Sequence, residues 1–239
     1  MLSPDELKEI STKSQTSEKN VAREYAQHVF LSFLYQDPGS DKVFFKGGTA
    51  LRILFQSPRF SEDLDFSANI SLYKTKELIE RTAIKTRQEI ASLKLEESKP
   101  TTGGYFGILA GSVGSSTVEV QIQVSLRQKA EKGELMVIAP PTVPAYNVLS
   151  LQEKSLISEK LEALLSRAKP RDFYDLYFIL RKPLGDRRQI ASKKAAVLKK
   201  LKSITSKSLY QELREFLPKS HWTIIQHLPE QLEKELGRL

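Results

Sequence analysis

Apolar positions along the first third of the chain recur with two different periods. Val21, Tyr25, Val29, Phe30, Phe33 and Leu34 fall at helical spacing behind Ser17, a side chain suited to cap a helix start. Ahead of them, Ser3-Pro4-Asp5-Glu6 has the makings of a capping box with proline at the first helical position, predicting a helix to about Lys13. Asp37-Pro38-Gly39-Ser40 is a turn that ends the second helix. Val43-Phe44-Phe45 then reads as a short buried strand running into Gly47-Gly48, and Thr49 to Phe55 as one or two helical turns stopped by Ser57-Pro58. Leu64 and Phe66 alternate with Asp63 and Asp65, the period of a strand with two unlike faces.

Tyr73 to Leu95 reads as helix, followed by strands over Tyr105 to Leu109 and Ser116 to Leu126. In the latter, Val118, Val120, Ile122 and Val124 alternate with Glu119, Gln121, Gln123 and Ser125, and the Gly/Ser-rich stretch Gly111 to Ser116 predicts a hairpin between the two. Leu135 to Ala139 is a further strand candidate. Pro140-Pro141 with Pro144 is the best boundary, because beyond it every segment reads as helix: Ser150 to Ala168, Asp172 to Leu180, Ile190 to Leu201, Ser208 to Phe216 and Pro229 to Leu236. The expected fold class is α+β: residues 1–140 form an α/β domain with N-terminal helices and a small mixed β-sheet, and residues 141–239 form a helical domain.

Composition narrows the function classes. The 239 residues are 40% hydrophobic, enough for a real core, and the absence of cysteine excludes disulfides, thiolate nucleophiles and cysteine-ligated metal sites. His28, His221 and His227 are scattered and read as structural or surface histidines. No run approaches the roughly 20 apolar residues of a membrane span. The opening MLSPDELKEI lacks a signal peptide's basic-then-apolar layout, so a cytoplasmic location without membrane association is expected. Charge is localised: from Arg181 to Lys207 ten Lys or Arg face one acid, Asp186, so this window accounts for more than the whole net charge of +8. Such a block is either a solvated helix face or a surface for a phosphate backbone.

The candidate chemistry lies in residues 46 to 66. Asp63 and Asp65, two apart on a strand, project their carboxylates from one face, where they repel unless a cation sits between them. Mg²⁺ meets that need with one or two carboxylates, waters and substrate phosphates. Upstream, Gly47-Gly48-Thr49 stands at a strand-to-helix junction, where helix-start N–H groups favour an anion and glycine lets a phosphate approach the backbone. A phosphate cradle beside a metal-binding carboxylate pair is a site for a nucleoside triphosphate.

Lys46-Gly47-Gly48-Thr49-Ala50-Leu51 and Arg59-Phe60-Ser61-Glu62-Asp63-Leu64-Asp65 resemble the Gly-Gly-Thr and Arg-x-Ser-x-Asp-x-Asp motifs of the AbiEii/AbiGii-type toxin nucleotidyltransferases, within the DNA polymerase β-like superfamily. Glu159-Lys160-Leu161-Glu162-Ala163-Leu164 resembles that family's Lys-x-x-x-Leu helix, and Arg171-Asp172-Phe173-Tyr174-Asp175-Leu176 with Arg181 its Asp-x-x-Asp motif. The resemblance spans roughly residues 43 to 182 and implies a toxin of a toxin-antitoxin system. Such an enzyme would transfer a nucleoside monophosphate from an NTP to an RNA acceptor, by expectation the tRNA 3′ end, with pyrophosphate released. It further implies Mg²⁺ or Mn²⁺ at Asp63 and Asp65, and nucleotide contacts from Lys46, Gly47, Gly48, Thr49, Arg59 and Ser61. Lys160 would offset phosphate charge, and a cognate antitoxin protein would be the partner. Asp172 and Asp175 either help close the active site or serve as an N-cap and an ion pair with Arg171 or Lys169. Arg181, Arg187, Arg188, Lys193, Lys194, Lys199 and Lys200 are the expected RNA contacts.

One position departs from the family pattern. Where the superfamily commonly has a third metal carboxylate, the alignment puts Gln123, which brings an oxygen but no charge; in another register Glu119 would serve. Two other readings therefore stand beside the first: a catalytically weak or inactive nucleotide- and RNA-binding module, and transfer of a nucleotide to a protein or small molecule.

Overall fold

The computed structural model describes residues 1–127 and 132–239. It divides into two compact units, one of Met1–Gln56 and Phe60–Leu151, the other of Ser57–Arg59 and Gln152–Leu239.

The first unit begins with α1 (Pro4–Lys13), started by the expected capping box: the Ser3 hydroxyl accepts from the Glu6 N–H while the Glu6 carboxylate accepts from the Ser3 N–H. Ser17 caps α2 (Glu18–Leu34), whose residues Tyr25, Val29, Phe30, Leu31 and Leu34 are buried. The strands are β1 (Val43–Lys46), β2 (Leu64–Ala68), β3 (Lys94–Thr101), β4 (Gly104–Val113), β5 (Ser116–Ser125), β6 (Gly133–Ile138) and β7 (Tyr146–Leu151). They form one mixed seven-stranded sheet in the order β3-β4-β5-β2-β1-β7-β6. At its centre β2 runs antiparallel to β1 and parallel to β5, and β1 runs parallel to β7. The alternation in β5 does what the sequence implies: Val118, Val120, Ile122 and Val124 are buried, and their polar neighbours lie on the other face. Phe45 and Phe66 stack across β1 and β2 with ring centroids 5.6 Å apart. The Tyr35 hydroxyl, just past α2, lies 3.1 Å from the Val43 carbonyl and 2.9 Å from that of Leu149, tying β1 to β7.

Three sequence expectations are corrected. The helix after Ser71 is α4 (Leu72–Glu89), and the chain then forms β3, a polar edge strand that pairs with β4. None of its residues is fully buried, which fits a sequence without apolar alternation. The sheet also continues past Pro140-Pro141 and Pro144: β7 lies beyond them, with Tyr146, Val148 and Ser150 buried, so not every later segment is helical. Between β1 and β2 lies α3 (Gly47–Phe55), ended by Gln56 in the left-handed region.

The second unit is helical: α5 (Glu153–Arg167), α6 (Pro170–Arg181), α7 (Arg187–Leu201), α8 (Ser206–Phe216) and α9 (Trp222–Gly237). The third correction concerns α9, which starts seven residues before Pro229 and carries that proline inside it. Proline has no N–H to give, but burial of Ile225, Leu228, Leu232 and Leu236 on one face holds the helix through the missing bond.

Candidate active site

The first unit brings part of the predicted site together. Asp65 on β2 is the cross-strand neighbour of Lys46 on β1 and, on the other side, of Gln123 on β5. Gln123 thus stands beside Asp65 as the alignment expects. Glu119, four residues back along β5, is about 13 Å away along the strand. Asp65 and Gln123 line a hollow of about 270 Å³ with Lys46, the Thr101–Gly104 turn, Phe106 and Arg127. Asp63, just before β2, lines a second hollow of about 490 Å³, which Glu119, Glu62, Lys19 and Arg23 share.

Gly47 is dictated by this packing. Its φ is +85°, and a Cβ there would stand 2.7 Å from the Asp65 Cβ. The start of α3 and the Asp65 side chain therefore touch because residue 47 has no side chain. Gly48 and Thr49 are buried in the first turn. The Thr49 hydroxyl donates to the Asp63 carbonyl, so its proton goes to the backbone that carries Asp63. Gln27 of α2, also buried, donates to the carbonyls of Ser61 and Glu62, both at 3.0 Å. Side chains of two helices thus hold the backbone carbonyls of residues 61 to 63. Arg23 adds charge nearby, with Nε 3.2 Å from the Glu119 carbonyl and Nη2 3.1 Å from Glu62 Oε1.

The remaining predicted residues belong to the second unit. Arg59 is buried and makes a two-pronged pair with Asp175, Nε to Oδ1 at 2.8 Å and Nη2 to Oδ2 at 3.0 Å. Lys160 Nζ reaches Asp175 Oδ2 at 2.9 Å. Burial alone would raise the Asp175 carboxyl, but the charges of Arg59 and Lys160 and their hydrogen bonds prevail and hold it down at about 2. Asp172 sits at the third position of α6, where its carboxylate accepts from the Lys169 N–H at 3.0 Å and pairs with Arg167 at 2.7 and 3.0 Å. It is neither the N-cap nor paired with Arg171: the cap is Lys169, and the cation is Arg167 of α5.

The basic window is spread around α7. Ile190, Val197 and Leu201 are buried, and at 100° per residue Arg188, Lys199 and Lys202 point away from that core, while Arg187 and Lys194 lie on one flank and Lys193 and Lys200 on the other. Arg181 ends α6 and pairs with Glu235 at 3.3 Å. Of the histidines, His28 is buried with Nδ1 2.7 Å from the Tyr146 hydroxyl, and burial lowers it to about 4, so it is neutral at pH 7.

A model of the family described as nucleotidyl transferase AbiEii toxin, type IV toxin-antitoxin system, matches residues 30–234. The chain belongs to the AbiEii family. It is a nucleotidyltransferase toxin of a toxin-antitoxin system, and its fold agrees with solved members of that class. MenT4, a nucleotidyltransferase toxin of Mycobacterium tuberculosis H37Rv, superposes with a TM-score of 0.65 at 16% identity, covering 100% of this chain and 91% of MenT4. A structure described as a putative nucleotidyltransferase from Helicobacter pylori gives 0.57 at 16% identity, covering 93% and 98%. JHP933 from Helicobacter pylori gives 0.56 at 19%, covering 93% and 95%. A comparison with curated protein sequences finds no match.

AbiEii enzymes work on a nucleotide, and nucleotidyltransferase toxins generally take a divalent metal with it. Among the described residues no group of three or more acidic or histidine side chains is placed to hold a metal ion. Asp65 and the neutral Gln123 offer the hard oxygens that Mg²⁺ takes when phosphates and water complete its shell, whereas Asp63, expected on the same strand face, precedes β2 and lines the other hollow. Sequence reasoning missed Arg23, Gln27, Lys19, Phe106 and the Thr101–Gly104 turn. No motif marks them; they reach the site from α2 and from the β3–β4 hairpin. Among the described residues no helix is long and apolar enough to cross a membrane.

Proposed function

We propose that this AbiEii enzyme transfers a nucleoside monophosphate from an NTP to an RNA acceptor, with the 3′ end of tRNA as the acceptor. The single observation that carries the reading is the register that sets Lys46, Asp65 and Gln123 side by side, with Asp65 against the first residue of α3. The triphosphate lies along the Gly47-Gly48 backbone and the Lys46 ammonium, where helix-start N–H groups and a cation offset its charge. The acceptor hydroxyl gives its proton to water as its oxygen bonds to the α-phosphorus, the bond to the bridging oxygen breaks, and pyrophosphate leaves. Asp65, with the neutral Gln123 beside it and Asp63 from the segment leading into β2, would hold Mg²⁺ or Mn²⁺, which would supply positive charge to offset the phosphates. Thr49 serves by fixing the Asp63 backbone, and Ser61 by presenting its carbonyl to Gln27. Arg59, Lys160 and Asp175 hold the second unit together as one buried ion cluster. The basic residues of α7 and Arg181 attract the acceptor's phosphates. A cognate antitoxin blocks the enzyme.

A second reading rests on Gln123: with a neutral donor beside Asp65, the chain binds nucleotide and RNA but transfers weakly. The purified protein is incubated with Mg²⁺, each α-labelled NTP in turn, and total RNA, protein extract or small metabolites. Label on RNA supports transfer to RNA; tight binding without transfer of any nucleotide supports the second reading. Label on protein or metabolites with RNA clean refutes the RNA acceptor. Charge reversal at Lys199 and Lys200 lowers the salt slope of RNA binding by about two, and an unchanged slope removes α7 from the account.

A further inference from the structure

The second unit contains a cavity of about 430 Å³, within the roughly 300–1,000 Å³ of small-ligand sites. One wall is a face of α6, where Tyr174, Tyr177, Phe178 and Arg181 recur at helical spacing. The other is a face of α9 with His227 and Gln231, preceded by His221. The rings of Tyr174 and Tyr177 lie 6.3 Å apart at 51°. Arg181 stands at the rim with its side chain 57% exposed. Its acid, Glu235, is shared with Arg238 at 2.7 Å, so two guanidinium groups face one carboxylate and the rim remains positive.

We infer that this cavity binds an unpaired base of a single-stranded RNA segment, with the base against the Tyr177 ring and the adjoining phosphate at Arg181. The inference rests on the RNA-acceptor reading above and adds a site to it. Stacking accepts any base through its π face, and paired with a basic track it is a general mode of single-strand binding. Arg181 is both a lining residue and the first residue of the basic window that runs to Lys207. The second unit holds 20 Lys or Arg against 11 Asp or Glu, which suits a polyanion and not an acidic peptide.

The test uses the full chain, a single-stranded RNA pentamer and a blunt RNA duplex, with affinity read by fluorescence anisotropy. Tyr177→Ala weakens pentamer binding by about tenfold to a hundredfold, leaves the duplex and the salt slope unchanged, and is rescued by Tyr177→Phe. Equal weakening of both RNAs, or none, overturns the inference. A second measurement needs no substitution: a pentamer ending in 4-thiouridine crosslinks to α6 or α9 at the cavity, and crosslinks confined elsewhere overturn it. If labelled nucleotide reaches RNA and Tyr177→Ala leaves the KM for RNA unchanged, the cavity inference fails alone. If no RNA is labelled and the pentamer still crosslinks at the cavity, the acceptor reading fails alone.

Discussion

Asp175→Asn isolates the ion cluster that holds the second unit. The carboxylate is buried and takes both Arg59, whose side chain is 5% exposed, and Lys160, at 12%. Asparagine keeps the shape and one acceptor oxygen but removes the paired negative charge from the buried guanidinium. Breaking a buried pair in this way costs about 3–5 kcal/mol, and the retained hydrogen bond places the expectation at the lower end, about 3 kcal/mol. Lys160 adds little to the loss, because its stem lets the ammonium turn to water. Chemical denaturation followed by circular dichroism should show that loss, with the midpoint of thermal unfolding about 10 °C lower. The double variant Arg59→Met with Asp175→Leu should recover much of it, since neither a buried charge nor an empty volume remains. Acid stability gives an independent reading. The Asp175 carboxyl lies at about 2 against an ordinary 3.8, a depressed value, so its contribution is fully present above about pH 4 and disappears as pH falls through 2. That share is about 2 kcal/mol in the wild type and absent in Asp175→Asn. A variant within about 0.5 kcal/mol of the wild type, or with the same acid profile, refutes the cluster as a source of stability.

The other predictions concern the first unit. Gly47→Ala forces a side chain into Asp65 at a positive φ, so transfer activity should fall by about tenfold or more while circular dichroism keeps the folded spectrum; unchanged activity would contradict the close approach. Gln123→Asp places a third carboxylate beside Asp65, and should tighten Mn²⁺ binding by about tenfold in calorimetry and reduce the Mg²⁺ needed for half-maximal rate. Gln27→Leu removes both side-chain donors to the Ser61 and Glu62 carbonyls, and should lower kcat more than it raises the KM for NTP, with a stability loss of about 1–3 kcal/mol.

What could be read from the sequence was what local chemistry decides. The Ser3 capping box and the alternation of β5 are each written in a few adjacent residues and present in the structure, while the strand expected to carry both aspartates begins at Leu64 and takes in Asp65 but not Asp63. Strand β3 was not legible because Lys-Leu-Glu-Glu-Ser-Lys-Pro-Thr has no buried face of its own; pairing with β4 alone makes it a strand. The same limit applies to side-chain tasks. Arg59 lies four residues before Asp63 and inside the nucleotidyltransferase motif, yet its carboxylate partner is 116 residues away. The resemblance implies Thr49 as a nucleotide contact, and only the packed structure shows that its hydroxyl donates to the Asp63 carbonyl. The β5 alternation sets Glu119, Gln121, Gln123 and Ser125 on one face, but only the register with β2, which no local pattern carries, makes Gln123 the neighbour of Asp65.

The central claim is that the stretch from Lys46 to Phe66 is the transfer centre. The most direct measurement compares wild type and Asp65→Ala in a single-turnover reaction with Mg²⁺, α-labelled NTP and RNA, reading pyrophosphate release and label together. The account predicts equal pyrophosphate and label from the wild type, and a loss of both by about a thousandfold in a folded Asp65→Ala protein. Retention of either signal within about tenfold would place the chemistry elsewhere.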